Sequence, residues 1–227
     1  MSDLVEVCSE KRVDAARTLN VFARRLREAE RVTKAGRGRG AARMSYLDSS
    51  HFLSACGMTD RPERSADAEH VLSSSVFESG TVSGPRSWLT KEDAPTFDIG
   101  LANLLSAIGS GEIDRYNEAR AKDRANGGPI VVTPPNFEVV IFRSSVAALI
   151  RFPDAEYRYQ HPLMAAVCAA STYAEQQTLL EAFERETDRF RSAKNIVVTF
   201  EADLLRAVAT TIEGGDLARL TARGDSK

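Results

Sequence analysis

Three observations predict an α+β fold. Apolar residues in the first half of the chain recur at the 3.6-residue helical period. The stretch from residue 130 turns to short β-favouring runs, and helical periodicity returns towards the end. This order predicts a helical N-terminal module followed by a mixed α+β region with a small antiparallel sheet. The expected divisions are a basic module over 1–76, a linker or long loop over 77–94, an α+β domain over 95–215 and a flexible tail over 216–227.

Leu4, Val5 and Cys8 predict a short helix over 3–9. Leu19, Phe22, Ala23, Leu26 and Ala29 mark one buried face of a stronger helix over about 13–30. Ser45 with Asp48 three residues later is an acidic variant of the capping box. It predicts a helix carrying Tyr46, Leu47, Phe52 and Leu53, which Gly57 would end. Pro62 opens a helix of about 62–76. Ser, Gly and Thr dominate 77–94, with Trp88 anchoring that loop on the body. A helix over 95–108 follows, with Gly109 after it, and 110–129 is charged and then turn-like. Ile130–Val132, Phe137–Phe142 and Val146–Phe152 are expected strands, with Arg143 and Ser144 turning between the last two. A helix over about 163–190, a strand at Ile196–Phe200 and a helix over 201–213 stopped by Gly214 complete the prediction.

The chain of 227 residues has a net charge of −2, but the charge is unevenly placed. Residues 11–44 hold eleven Lys or Arg against Asp14, Glu28 and Glu30, a surplus of eight. A basic segment on an acidic body predicts a local anionic partner, because phosphates respond to the surface presented and not to the sum. Arg17, Asn20, Arg24, Arg27 and Arg31 form a second stripe on the 13–30 helix, beside the apolar one. Lys34, Arg37, Arg39 and Arg43 follow in a stretch with Gly36, Gly38 and Gly40 at alternate positions. Glycine there gives the backbone freedom to bring the arginines along a phosphate backbone or into a minor groove.

Catalytic patterns are absent from the sequence. His51, His70 and His161 lack neighbouring ligands, and Gly36–Gly40 lacks the Lys-Ser/Thr ending of a phosphate-binding loop. There is no GxSxG and no paired-carboxylate motif. Cys8, Cys56 and Cys168 are too scattered for a disulfide framework or a zinc site and read as small buried hydrophobes. No apolar run approaches the ~20 residues that span a bilayer, and the N-terminus lacks a signal-peptide pattern. The expectation is a non-enzymatic cytoplasmic protein without a cofactor or a membrane partner.

Ala23–Ala29, Gly36–Ala42 and Met44-Ser45 with Asp48 resemble the N-terminal region of uncharacterised helix-turn-helix-like proteins of phages and prophages. More loosely, a helix ending in Leu-Arg-Glu-Ala, a hairpin and a capped helix resemble winged-helix regulators. The resemblance covers less than a fifth of the chain. It differs at Glu30-Arg31, where such proteins often end the helix with glycine. It implies association with duplex DNA, with Arg17, Asn20, Arg24, Arg27, Arg31, Lys34, Arg37, Arg39 and Arg43 as the contacting residues. The leading expectation is a transcriptional regulator, acting as a possible homodimer. The alternatives are a phage packaging or assembly factor that grips DNA without sequence preference, and a non-catalytic protein-interaction module.

Overall fold

The computed structural model describes residues 1–33, 44–82, 87–125, 136–190 and 194–214. Four helices come first: α1 (Ser2–Glu10), α2 (Ala16–Glu28), α3 (Tyr46–Met58) and α4 (Ser65–Ser73), with a 3-10 turn at Pro62–Arg64 before α4. Strand β1 (Val76–Val82) leads through a 3-10 turn at Ser87–Leu89 to α5 (Phe97–Gly109) and α6 (Glu112–Ala125). Strands β2 (Glu138–Phe142), β3 (Ala147–Phe152) and β4 (Ala155–Gln160) precede α7 (Pro162–Ala169) and α8 (Tyr173–Thr187). Strand β5 (Val197–Glu201) and α9 (Ala202–Ile212) end the described chain. The fold is α+β, as the sequence predicts.

The sheet runs β1-β4-β3-β2-β5, and every neighbouring pair is antiparallel. Strand alternation separates its two faces. Val139, Ile150, Tyr157 and Phe200 lie in register across four strands and are all buried. On the other face Arg151 bridges Glu138 (2.6 Å) and Glu156 (2.9 Å) across adjacent strands. The helices cover the apolar face at close range. A Cβ on Gly57 of α3 would come within 2.3 Å of Ile141 Cδ1, and one on Gly100 of α5 within 2.3 Å of Tyr159 Oη. Glycine is what lets both helices sit this near the strands. α5 packs on α3 and α9, and α1 packs on α2 and α9.

Several expected boundaries need correction. The 77–94 segment is no plain loop, because its first residues form edge strand β1. Ser, Gly and Thr suit an edge that needs only one packed side, and they masked the strand signal. Buried side chains on both sides of that segment, from Leu4 to Ala209, belong to one contiguous cluster. Gly57 does not end α3, and α5 runs through Gly109. Its stop is Gly111 at φ +72°. The charged 110–129 stretch holds α6, a helix with no apolar stripe, of which Ile113 is the buried anchor. Strand β4 has no counterpart among the expected elements.

The expected 163–190 helix is two helices. Thr172 caps α8 by accepting the Glu175 N–H at 3.3 Å, and this breaks the run. The Ile130–Val132 run lies outside the described residues, as does the tail from 216. Trp88 does anchor its segment, edge-on to Phe152 at 6.1 Å. Cys8 is buried, whereas Cys168 is exposed and does not fit the buried-hydrophobe reading.

Candidate nucleic-acid interface

Helix α2 presents two opposed faces. Leu19, Phe22, Ala23 and Leu26 are essentially inaccessible. Arg17, Asn20 and Arg24 are exposed on the opposite side, and Arg27 is half-buried. The helix carries four arginines against a single acid, Glu28. That acid contacts Arg25 at 3.0 Å and Arg24 at 3.7 Å, both well exposed, so solvent screens the pairing. Arg17 and Arg27 have no carboxylate partner among the described residues. Asn20 donates its side-chain amide to Ala16 O at 2.9 Å, and it shares a groove with Glu6 and Glu10 of α1.

Arg31 departs from the expected stripe. Helix α2 ends at Glu28, and Glu30 takes a left-handed backbone (φ +60°) that turns the chain. The Arg31 N–H then closes on Leu26 O (2.9 Å) and the Glu30 N–H on Arg27 O (3.2 Å). This is a Schellman ending made without glycine. Glu30 carries the strain of a non-glycine left-handed residue.

Turned inward, the Arg31 guanidinium donates to the fully buried Glu69 carboxylate from Nε (2.6 Å) and Nη2 (3.1 Å). His51 Nδ1 and Ser73 Oγ donate to the same carboxylate. Since an ionised carboxylate only accepts, the His51 proton sits on Nδ1. Burial pushes Glu69 up, but these donors more than offset it and hold the carboxyl below its usual range. Ser73 Oγ also lies 3.5 Å from His51 Nδ1, but hydroxyl and imidazole both donate to the acid, so Nδ1 carries a proton and is not free to accept one from the hydroxyl. It satisfies a buried charge. The other histidines are an exposed one, His70, and His161, which caps α7 by accepting Leu163 N–H at 3.2 Å.

Lys34, Arg37, Arg39 and Arg43 lie outside the described residues, which resume at Met44. Asp48, at the third position of α3, accepts the Thr33 N–H (2.7 Å), the Ser45 N–H (2.8 Å) and the Ser45 hydroxyl (2.8 Å). Ser45 Oγ in turn accepts the Asp48 N–H at 3.0 Å, completing the expected capping box. One carboxylate therefore ties Thr33, soon after the end of α2, to Ser45 at the start of α3. Burial pushes Asp48 up, and the Ser45 and Thr33 donors bring it below the usual carboxylate value. The spacing Ser45–Asp48 revealed the cap. The third donor, fifteen residues away at Thr33, leaves no local signal.

A cavity of about 410 Å³ opens between the α1–α2 turn, the end of α3, β5 and the start of α9. Four of its charged groups pair internally, Lys11 with Asp203 at 2.6 Å and Arg143 with Asp60 at 2.8 Å, and Arg12, Asp14 and Glu201 also line it. Among the described residues no group of three His, Cys, Asp or Glu could hold a metal ion, and no helix is long and apolar enough to cross a membrane. Comparisons with protein-family models, with curated proteins and with solved structures gave no match.

Proposed function

We propose that the protein binds duplex DNA through the outer face of α2, with Arg17, Arg24 and Arg27 on backbone phosphates and the basic 34–43 segment adding to the contact. The observation that carries this reading is the division of α2. Its apolar side is consumed by the core, while its cationic side faces solvent with a single acid to screen it. A helix serving solubility alone would mix its signs there. Asp48 ties together Thr33 and Ser45, which stand on either side of the second basic stretch in the chain.

The expected regulator needs a residue that reads a base edge. Asn20 is the candidate, since Asn pairs bidentately with adenine. Its amide nitrogen already donates to Ala16 O, and Glu6 and Glu10 border it. This favours phosphate contact without base readout, the mode of a packaging or assembly factor, over sequence-specific regulation.

Titrating full-length protein with specific-candidate and random duplexes over a range of salt tests the proposal. Arg17→Ala with Arg24→Ala should weaken binding equally on all sequences and flatten the log–log salt slope by about two. Thermal melting should leave that variant near wild type, whereas Leu26→Ala costs roughly 2–5 kcal/mol. Salt-independent binding, or none at low salt, would eliminate the proposal.

A further inference from the structure

We infer that the cleft behind the Pro62–Arg64 turn is a second phosphate-binding site, which takes a phosphodiester of the same duplex. The inference rests on the DNA-binding reading and extends it to residues with no basic run in the sequence. Arg61, Arg64, Arg143 and Arg189 come from three separated parts of the chain and line one cavity of about 240 Å³, together with Asp60 and Phe190.

Three of these guanidinium groups have internal partners: Arg64 a backbone carbonyl, Arg189 an aromatic ring and an exposed carboxylate, and Arg143 a carbonyl and Asp60. Arg64 Nη1 donates to Arg189 O at 2.5 Å. Arg189 lies over the Phe190 ring at 4.8 Å, with a screened contact to Asp67 at 3.2 Å between two exposed side chains. Arg143 is buried, donates from Nε to Gly57 O at 2.7 Å, and takes both oxygens of Asp60 at 2.8 Å. Arg61 is exposed and has no partner for its side chain among the described residues. Asp60 is thus spent on Arg143, and the lining keeps a surplus of positive charge from Arg61, Arg64 and Arg189. Planar guanidinium forks suit the paired oxygens of a phosphate. Glu63, on the same turn, is exposed and outside the lining.

Position selects the ligand. The Pro62–Arg64 turn packs directly on α2, so the cleft adjoins the helix proposed to meet the duplex. On this reading, a strand held on α2 passes its neighbouring phosphates to Arg61 and Arg64. A free phosphate would use the same donors, and the test separates the two sources.

Full-length wild type, Arg61→Ala, and Arg61→Ala with Arg64→Ala are titrated with a random-sequence duplex at several salt concentrations. Thermal melts are run with inorganic phosphate and with chloride at matched ionic strength. Arg61→Ala removes no internal contact and melts with wild type, which keeps the measurement interpretable if the double variant is less stable. The expected result is a salt slope flatter by about one for the single variant and by about two for the double. That loss adds to the loss from Arg17→Ala with Arg24→Ala. An unchanged slope in Arg61→Ala, with wild type and the α2 variant behaving as proposed, overturns the cleft and leaves the α2 interface standing. An unchanged slope together with phosphate stabilisation that Arg61→Ala abolishes assigns the cleft to a free anion and overturns the phosphodiester. Absence of DNA binding by wild type removes both readings.

Discussion

Asp48 shows how much one carboxylate can organise. It caps α3, accepts from Ser45 twice and reaches back to Thr33, so its charge serves local and longer-range structure together. Because its folded pKa is depressed, the stability it contributes is present above the unfolded carboxylate value of about 3.9 and is lost as pH falls through the lower folded value. Asp48→Asn should therefore cost about 1.5–3 kcal/mol at neutral pH, the usual range for hydrogen bonds to a charged group. The gap to wild type should close at acid pH. Urea unfolding of both proteins at pH 7 and near pH 3 measures this, and an equal penalty at the two pH values would show that charge is not the cause. The Glu69 cluster follows the same logic more deeply buried. Arg31 was readable from the sequence as a member of a cationic stripe, but its partner stands 38 residues away. Only the folded arrangement reveals that Arg31 is required inside.

Helix ends account for most differences between expected and observed elements. α1 and α2 both close with Schellman turns on charged residues. Arg12 (φ +61°) stands where Val13 N–H meets Cys8 O at 2.9 Å, and Glu30 occupies the matching position after α2. Later helices use Gly111 and Gly214 for the same task. A glycine stop is visible in sequence, whereas a left-handed glutamate such as Glu30 is not, which is why the 13–30 helix reads too long at its end. Arg12→Gly should relieve about 1 kcal/mol of backbone strain, and Gly111→Ala should impose a similar penalty. At this chain length each corresponds to a melting shift of roughly 2–4 °C per kcal/mol, in opposite directions, measurable by calorimetry. If Arg12→Gly melts lower, its side chain outweighs the strain. α6 was hidden for another reason. Its exposed charges leave no apolar period, and it is tied to α9 by Asp114 accepting from Arg206 at 2.8 and 3.2 Å.

The molecule joins its halves through one apolar core. Phe22 and Leu26 of α2, Leu101 and Leu105 of α5, Ile141 and Phe200 of the sheet and Leu205 of α9 all belong to it. Tyr159 shows how tightly it is packed: its ring meets Phe77 at 5.7 Å and Phe97 at 5.6 Å, and its hydroxyl lies against Gly100. Expressed alone, residues 1–76 would expose the faces of α1 and α3 that α9, α5 and the sheet now cover. The fragment should show little cooperative melting by circular dichroism, and DNA binding should require the full chain. A sharp transition in the fragment would establish an independent N-terminal unit.

By itself the sequence determined the α+β class, the apolar face of α2, the capping box of α3, the last helix and three strands of the sheet, to within a few residues. It also determined the basic character of residues 11–44. Each of these is a local pattern: a period, a cap or a run of charge within about twenty residues. Tertiary structure decided the rest. It made an edge strand of a Ser-Gly-Thr stretch by pairing it with β4. It split one long apolar run into α7 and α8, and it turned Arg31 from solvent to Glu69. It also gathered Arg61, Arg64, Arg143 and Arg189 around one cavity across more than a hundred residues of chain. The physical reason is that buried charges and strand edges are satisfied by whichever partner the packed core brings near, and no pattern along the chain records that partner.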